Sequence, residues 1–284
     1  MPDDGWILVT GATGNTGSQV VARLRSRGHP VRAASRRPDT GDGDAVRFDW
    51  ADDTTFASAL ADVRAVYLVA PVGVADPAPL VRPFLEQAAA GGVRRVVQLS
   101  SSAVARGEPA LGEIHDVVAG LFTDFTVLRP SWFMQNFVGN SPLAEGIRQS
   151  REVMTATGDG RLGFIDAADI AAVAVQALVS VESVGDDLVL TGPEALSYPQ
   201  AAAIVSEVLG EPVGHVDITT DALANRLVAA GLSADFAAGL AALDERIRAG
   251  EQDFVTSTVF DVTGRAPTSL RDFLTHALTP VAAR

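Results

Sequence analysis

The sequence contains no lysine, because all 22 of its basic residues are arginine. This absence excludes a Schiff-base lysine, a P-loop lysine and a Tyr-x-x-x-Lys catalytic pair. Cysteine is also absent, which excludes disulfides, thiolate nucleophiles and cysteine-rich metal sites. The histidines are few and far apart along the chain, so the sequence predicts no metal site. They are His29, His115, His215 and His276.

Long apolar runs are missing as well, and none approaches the roughly 18 residues that a membrane-spanning helix needs. The first residues, Met1–Asp4, are acidic where a secretory signal peptide would be basic. A net charge of −13 disfavours binding to nucleic acid or to anionic membranes. We therefore expect a cytoplasmic protein, monomeric or homodimeric, whose partner is a small-molecule substrate.

What the sequence does contain is a glycine-rich turn near its start. The apolar run Trp6–Val9 predicts a buried strand, and Ser18–Arg27 predicts a helix that ends at Gly28. The turn between them, residues 11–17, reads GATGNTG. A strand that enters a helix through such a turn directs backbone N–H groups and the helix dipole towards a pyrophosphate. The pattern predicts a dinucleotide site, and the alternative is a tight turn that binds nothing.

The segment after the second predicted strand indicates which dinucleotide binds. An NAD site usually places a carboxylate at the tip of this strand for the ribose hydroxyls, whereas an NADP site places positive charge there for the 2′-phosphate. No acidic residue lies between Asp4 and Asp39, while Ser35, Arg36 and Arg37 follow the strand. A hydroxyl donor and planar guanidinium groups suit a phosphate. The sequence favours NADP(H), and the alternative is that these arginines are solvated turn charges.

The first half of the chain alternates short apolar segments with helix-like segments. This order predicts an α/β fold with a doubly wound parallel sheet, the Rossmann arrangement. The predicted strands are Trp6–Thr10, Pro30–Ala34, Val46–Phe48, Ala65–Val69, Arg94–Leu99 and Thr126–Leu128. The predicted helices are Ser18–Arg27, Asp52–Leu60, Pro79–Ala90 and Gly112–Phe122.

After about Pro130 the alternation fades into a mixture of elements. We predict a hairpin-like piece at Thr157–Gly163, a helix at Asp166–Val179, a strand near Asp187–Leu190 and helices through to Ala277. Residues 1–135 are expected to form the NADP-binding domain, and residues 136–284 a smaller, mixed substrate-binding lobe. The helix at about residues 166–179 is expected to pack back on the first domain.

Segments spread over nearly the whole chain carry a family resemblance. Besides the glycine turn and residues 128–137, LRPSWFMQNF, they are Ala33–Arg36, Phe48–Trp50, Leu68–Pro71, Leu99–Ser101, Asp166–Ala171 and Leu270–Leu274. Together they resemble the NmrA-like atypical (extended) short-chain dehydrogenase/reductases. Residues 128–137 narrow the similarity to the branch of quinone-reductase-type enzymes, triphenylmethane reductase and festuclavine synthase.

The resemblance implies which residues contact the cofactor. The implied contacts are, for the pyrophosphate, Gly11, Thr13, Gly14, Asn15, Thr16 and Gly17; for the 2′-phosphate, Arg36; for the adenine, Asp49 and Trp50; for the nicotinamide ribose, Ala70 and Pro71; and for the nicotinamide, Ser100 and Ser101. Ligands of such sheets bind outside the carboxyl ends of the parallel strands, where these residues are predicted to lie. The alternative for the two serines is a turn-capping hydroxyl, and for Asp49 a helix cap.

The region where typical enzymes of this superfamily carry a catalytic tyrosine and lysine has neither residue. It reads GEIHDVVA over residues 112–119, and the two tyrosines, Tyr67 and Tyr198, lie elsewhere. His115 is the titratable group of this region whose ordinary pKa suits proton transfer, so it is the candidate catalytic residue. The alternative is a partly exposed histidine on a helix surface.

The missing pair restricts the substrates that make chemical sense. Hydride delivery to an ordinary ketone builds an alkoxide that needs a proton. Hydride delivery to an iminium, a quinone or a conjugated cation gives a product whose charge is already neutralised or delocalised. We predict an NADPH-dependent oxidoreductase that reduces such small aromatic or heterocyclic electrophiles, as in specialised metabolism. Alternatives are a redox-inactive NADP(H)-sensing regulatory protein and a non-redox isomerase or cyclase.

The substrate site implied by the resemblance is apolar and aromatic, with few polar groups. Its candidate residues are Trp132, Phe133, Gln135, Asn136 and Phe164, with Met134 and Phe137 in the same wall. The alternative for Phe133 and Phe137 is an ordinary place in the protein core.

Overall fold

A parallel sheet of seven strands forms the framework of the dinucleotide-binding half. The computed structural model describes residues 5–39 and 41–278, so the acidic start at Met1–Asp4 lies outside the described residues. The strands, in chain order, are β1 Trp6–Val9, β2 Val31–Ser35, β3 Ala45–Arg47, β4 Val63–Val69, β5 Arg95–Leu99, β6 Asp124–Pro130, β7 Glu152–Thr155, β8 Arg161–Leu162, β9 Asp187–Leu190, β10 Leu196–Ser197 and β11 Gly214–Asp217. The order across the large sheet is β3-β2-β1-β4-β5-β6-β9.

Helices cover this sheet in two groups. The helices, in chain order, are α1 Gly17–Ser26, α2 Phe56–Leu60, α3 Ala78–Ala90, α4 Leu111–Leu121, α5 Pro142–Ser150, α6 Ala167–Val179, α7 Tyr198–Leu209, α8 Thr220–Ala229, α9 Ala234–Arg248, α10 Thr258–Thr263 and α11 Leu270–Leu278. Helix α1 packs with α6, while α2 and α4 each pack with α3. Strands buried between two such layers are mostly apolar, as β1 is throughout and β4 is except for Arg64 near its start. The predicted doubly wound α/β fold is confirmed.

The strand register aligns the carboxyl ends of the central strands at one edge of the sheet. Val9, at the end of β1, lies opposite Ala33 of β2 and Tyr67 of β4. The order reverses at β1, because β2 and β3 lie on one side of it and β4 to β6 on the other. Loops that leave the sheet in opposite directions at such a switch point open a crevice for a ligand.

The chain divides into two compact units. The first comprises Met1–Pro130, Ala167–Val189 and Asp261–Gly264, and the second comprises Ser131–Asp166, Leu190–Phe260 and Arg265–Arg284. Helix α6 belongs to the first unit, where it packs against α1 and the strands β4 to β6. Of the helices in the described part of the chain, none combines the length and apolar character needed to cross a membrane.

The second unit contains two small sheets. Strand β7 pairs in parallel with β11, and β8 pairs antiparallel with β10. The hairpin predicted at Thr157–Gly163 is therefore wrong, and β11 interrupts a region predicted as helical. The chain does turn there, since Gly160 N donates to the carbonyl of Thr157 at 3.0 Å. The strands on either side find partners far along the chain, which a local turn signal does not reveal.

Candidate functional site

The glycine turn joins β1 to α1 at the carboxyl edge of the sheet. Gly11 has a φ of +60°, a left-handed conformation that other residues rarely adopt. Gly14 N donates to the Gly11 carbonyl at 2.9 Å and closes the turn. A Cβ atom at Gly17 would lie 2.2 Å from the same carbonyl oxygen, so the first residue of α1 has to be glycine. The exposed residues of the turn are Gly11, Thr13, Gly14 and Asn15, and the buried ones are Ala12, Thr16 and Gly17.

Thr10 fixes the turn to the neighbouring strand β4. Its hydroxyl oxygen accepts a hydrogen bond from Val69 N at 2.7 Å. The same hydroxyl lies 3.2 Å from the carbonyl oxygen of Tyr67, to which it can donate. The end of β4 and the loop that follows it are thereby held beside the glycine turn.

Two adjoining clefts open beside the turn within the first unit. One has a volume of about 480 Å³ and is lined by Thr13, Ser35, Arg36, Arg37 and Asp49. The other has a volume of about 460 Å³ and shares four of these residues. It is lined in addition by Gly11, Gly14, Ala34, Phe48, Trp50, Ala51, Val69, Ala70, Pro71, Val72, Val74 and Leu80. The structure thus brings together most of the predicted cofactor residues, and we call the two together the cofactor cleft.

Arg36 and Arg37, the arginine pair, carry unneutralised positive charge in the cofactor cleft. Other arginines form ion pairs with carboxylates, as expected in a chain with a net charge of −13, and Arg25, Arg95 and Arg129 are examples. Within residues 5–39 and 41–278, the guanidinium groups of the arginine pair have no such partner. Two exposed, unpaired guanidinium groups beside the Ser35 hydroxyl fit a phosphate ligand.

Asp49 and Trp50 lie together on the wall of the cofactor cleft. The Asp49 carboxylate accepts a hydrogen bond from Ala51 N at 3.1 Å, so it caps the turn as well as lining the cleft. The Trp50 ring packs edge-on against Phe48 at 4.8 Å and Phe84 at 5.3 Å. This aromatic cluster holds the indole in a fixed position, which suits a flat ring as ligand.

Val72 is a residue of the cleft that the sequence analysis missed. It follows Ala70 and Pro71 in the loop after β4, and 88% of its surface is exposed. When a ligand covers a large apolar side chain that is open to water beside a cleft, the burial of apolar surface favours binding. The available signal was the apolar character of Val72 and Val74 in a loop that contains Gly73.

Ser100 and Ser101 follow β5 at the same edge of the sheet but are not among the residues that line the two clefts. Ser100 is buried, and the Ser101 hydroxyl accepts a backbone N–H two residues later at 3.2 Å. Arg129 of β6 donates to the carbonyls of Ser101 and Ser102 at 3.3 and 3.2 Å and pairs with Asp187 at 3.1 Å. The loop after β5 is therefore held from its neighbouring strand.

His115 lies on the buried side of α4 and not on the exposed surface considered as the alternative. It is 4% exposed, and its ring centroid is 6.2 Å from that of Phe125. Burial lowers the pKa of the imidazole below its ordinary value and outweighs the nearby Asp187 carboxylate, which raises it. The ring is therefore expected to be neutral at pH 7, and its predicted catalytic role stays a prediction.

Both tyrosines of the chain are buried. Tyr67 lies in β4 and is 0% exposed, and Tyr198 starts α7 and is 4% exposed. Burial raises the pKa of both phenols far above the ordinary value. Neither phenol is therefore available as a proton donor to a ligand at the surface.

Phe164 is part of the core of the second unit. Its ring is 2% exposed and packs edge-on against Phe137 at 5.1 Å and Tyr198 at 5.2 Å. Met134, which begins a short 3-10 turn, is buried in the same cluster. These side chains shape the unit from within, and Phe137 takes the core position considered as its alternative.

Trp132, Phe133, Gln135 and Asn136 are half-buried in the second unit. The Gln135 amide donates to the carboxylate of Asp166 at 2.7 Å, which fixes the segment to the residue before α6. The predicted contacts of these four residues with substrate stay predictions.

The comparisons with known proteins agree with this geometry. Residues 11–180 match the family described as NAD(P)H-binding. The uncharacterized oxidoreductase YesF of Bacillus subtilis (strain 168) is 46% identical over 268 residues, covering 94% of this chain and 93% of that protein. Agroclavine dehydrogenase of Claviceps fusiformis is 39% identical over 280 residues, covering 94% and 96%.

A solved structure shows the same fold at full length. The NADPH-dependent quinone oxidoreductase QOR2 of Escherichia coli, complexed with NADPH, superposes with a TM-score of 0.80 at 25% identity, covering 96% of this chain and 100% of that one. These findings confirm the predicted family, the nicotinamide cofactor and the class of oxidoreductase. The chain belongs to the NAD(P)H-binding family, among the atypical short-chain dehydrogenase/reductases.

Proposed function

We propose that the protein is an NADPH-dependent reductase that transfers hydride to a small aromatic or heterocyclic electrophile, such as a quinone, an iminium or a conjugated system. The observation that carries the proposal is the chain's lack of an available proton-donating pair, since lysine is absent and both tyrosines are buried. NADPH, when bound, supplies the hydride. The chain's own residues hold the cofactor and orient the acceptor.

The acceptor class follows from where charge develops. Reduction of a ketone places negative charge on oxygen, and a positioned general acid there contributes about 10²- to 10⁴-fold to the rate. Hydride addition neutralises the positive charge of an iminium. In a quinone it creates a negative charge on oxygen, which the aromatic ring delocalises. The relatives named for agroclavine dehydrogenation and quinone reduction support this class of acceptor.

Among acceptors, a quinone and a cyclic iminium should be reduced far faster than a ketone of similar size. We expect kcat/KM for the ketone to be at least about 100-fold lower, which is the contribution of one missing general acid. The measurement is NADPH oxidation against the three acceptors, with product identification. Ketone reduction at the quinone rate would contradict the proposal, and no oxidation with any acceptor would favour the sensing role.

The same assay tests His115. His115→Phe keeps a ring against Phe125 and removes the titratable group. A fall in kcat of about 100-fold at an unchanged melting temperature would support a catalytic role. An unchanged kcat would assign the residue to packing of α4.

Arg36→Asp should weaken NADPH binding by at least about ten-fold, because one charge-assisted phosphate contact is lost and a carboxylate takes its place. NADH, which lacks the 2′-phosphate, should bind within about two-fold of wild type. The measurement is the Kd of each cofactor by fluorescence titration. Arg226→Asp is the matched control, because it makes the same charge change on α8 at a residue that is not among those lining the cofactor cleft. An unchanged NADPH Kd in Arg36→Asp would refute the assignment of the phosphate site.

A further inference from the structure

Two carboxylates lie close to the arginine pair. Asp39 and Asp42 follow it in the loop between β2 and β3, and both line a third cleft of about 280 Å³. Thr13 and Ser35 line this cleft too, and they also line the cofactor cleft at the arginine pair. The two clefts therefore share a wall. An unneutralised carboxylate at this wall would repel a phosphate at the arginine pair.

Arg25, in the last turn of α1, pairs with one of these carboxylates. Its Nη2 atom lies 2.8 Å from Asp42 Oδ2 and 3.0 Å from Asp42 Oδ1. Asp42 Oδ1 also accepts a hydrogen bond from Asp44 N at 3.1 Å, and Ala45 N donates to the Asp42 carbonyl. The loop that carries the arginine pair is thus folded around Asp42 and joined to α1.

The charge balance of this corner depends on that ion pair. The hydrogen bond from Arg25 holds the pKa of the Asp42 carboxyl below its ordinary value, so the group is ionised at neutral pH. Without Arg25, both Asp39 and Asp42 would present negative charge at the shared wall. This charge would add to that of the Asp44 carboxylate of the same loop and the Asp49 carboxylate of the cofactor cleft. With Arg25, Asp42 is neutralised, so one fewer negative charge opposes a phosphate at the arginine pair.

We propose that Arg25 is a specificity-determining residue, which neutralises Asp42 beside the 2′-phosphate site and so allows the arginine pair to select NADPH over NADH. This inference rests on the proposed NADPH-dependent function. A competing explanation is that the Arg25–Asp42 pair only holds the loop in place. The two explanations differ in what happens when each partner is removed in turn.

Three variants separate them: Arg25→Ala, Asp42→Asn and the double variant. Asparagine at position 42 retains an oxygen that accepts from Asp44 N, so the local turn is kept. The measurement is the Kd of NADPH and of NADH for each variant, at low and at high ionic strength. We expect Arg25→Ala to raise the NADPH Kd by about five-fold and to leave the NADH Kd within two-fold. This rise should shrink at high ionic strength, because salt screens the exposed carboxylate.

The other two variants are expected to behave differently from Arg25→Ala. Asp42→Asn leaves Arg25 unpaired, so NADPH should bind as tightly as to wild type or more tightly. The double variant removes both charges, and its NADPH Kd should return to within about two-fold of wild type. A similar rise in NADPH Kd in all three variants would overturn the proposal in favour of a loop clamp. Equal weakening of NADH and NADPH by Arg25→Ala would overturn it as well.

Failure of this inference is distinguishable from failure of the proposed function. If wild-type protein binds NADH as tightly as NADPH, the NADPH assignment itself fails. If wild type prefers NADPH and the preference is undiminished in Arg25→Ala, only the role of Arg25 fails.

Discussion

Gly17→Ala is expected to abolish cofactor binding at ordinary concentrations, with a rise of at least about 100-fold in the NADPH Kd, equivalent to about 2.7 kcal/mol. A Cβ atom at this position would lie 2.2 Å from the Gly11 carbonyl oxygen and 2.8 Å from the carbonyl carbon. Both atoms are backbone, so the turn has to move away from α1. The N–H groups at the start of the helix then no longer face the pyrophosphate at close range.

The same variant should also be less stable, because overpacking of a buried position costs about 1–3 kcal/mol. Gly120→Ala, near the end of α4, is the matched control. A Cβ atom there meets nothing within 4 Å, and alanine favours a helix, so neither NADPH binding nor stability should fall. Wild-type NADPH affinity in Gly17→Ala would contradict the assignment of the glycine turn as the pyrophosphate site.

The contribution of a single carboxyl group of the second unit to the free energy of unfolding should fall by about 3 kcal/mol as the pH rises from about 4 to about 6. Asp244 of α9 is 9% exposed, and burial raises the pKa of its carboxyl to about 6. Between the two pH values the unfolded chain ionises this group, while the folded protein still holds the proton. Below this window the carboxyl is protonated in both states and does not lower the free energy of unfolding. Above it the carboxylate is charged in both states, and the full cost of burying that charge lowers the free energy of unfolding.

The Asp244 carboxylate accepts a hydrogen bond from Ala156 N at 2.8 Å, in the turn between β7 and β8. Arg248, one turn later in α9, donates to the Ala156 carbonyl at 2.8 Å. Asp244→Asn keeps an acceptor oxygen and removes the charge. We expect the difference in unfolding free energy between this variant and wild type to grow in favour of the variant as the pH rises through the window.

The measurement is chemical denaturation of both proteins at several pH values. Asp235→Asn, which makes the same change at an exposed position on the same helix, is the control, because a pH trend shared by both variants would not be specific to the buried carboxyl. A difference that stays constant between pH 4 and pH 7 would contradict the raised pKa. Asp244→Ala should be less stable than Asp244→Asn at every pH, because it leaves a buried N–H without a partner, at a cost of about 1–3 kcal/mol.

Local patterns were sufficient to predict the elements that surround the cofactor cleft. Strand β1, the glycine turn and α1 are contiguous in sequence, and their periodicity and glycine spacing depend only on neighbouring residues. The same holds for Ser35, which ends β2, and for the arginine pair, which follows it directly. Because parallel strands place their carboxyl ends at one edge, the sequence also predicted that Asp49 and Ala70 would lie near the turn, as they do.

Pairings between distant segments could not be read in the same way. The partner of β7 is β11, about sixty residues later, and β11 is only four residues long. Nothing in the turn at Thr157–Gly163 encodes that choice, because strand pairing is decided by which faces are buried together. Val72 was missed for a related reason, since its exposure depends on the path of a loop and not on the residue type.

The sequence by itself determined the dinucleotide site, the absence of a tyrosine–lysine pair and the excess of negative charge, because these depend on residue identity and local spacing. Only the tertiary structure decided which charges are neutralised. Among the arginines of the described residues that line the cofactor cleft or the third cleft, Arg25 is paired and the arginine pair is not. The reason is that Asp42 Oδ2 lies 2.8 Å from Arg25 Nη2, although the two residues are seventeen positions apart in the chain. Electrostatic interaction depends on distance in space, which the sequence does not contain until the chain is folded.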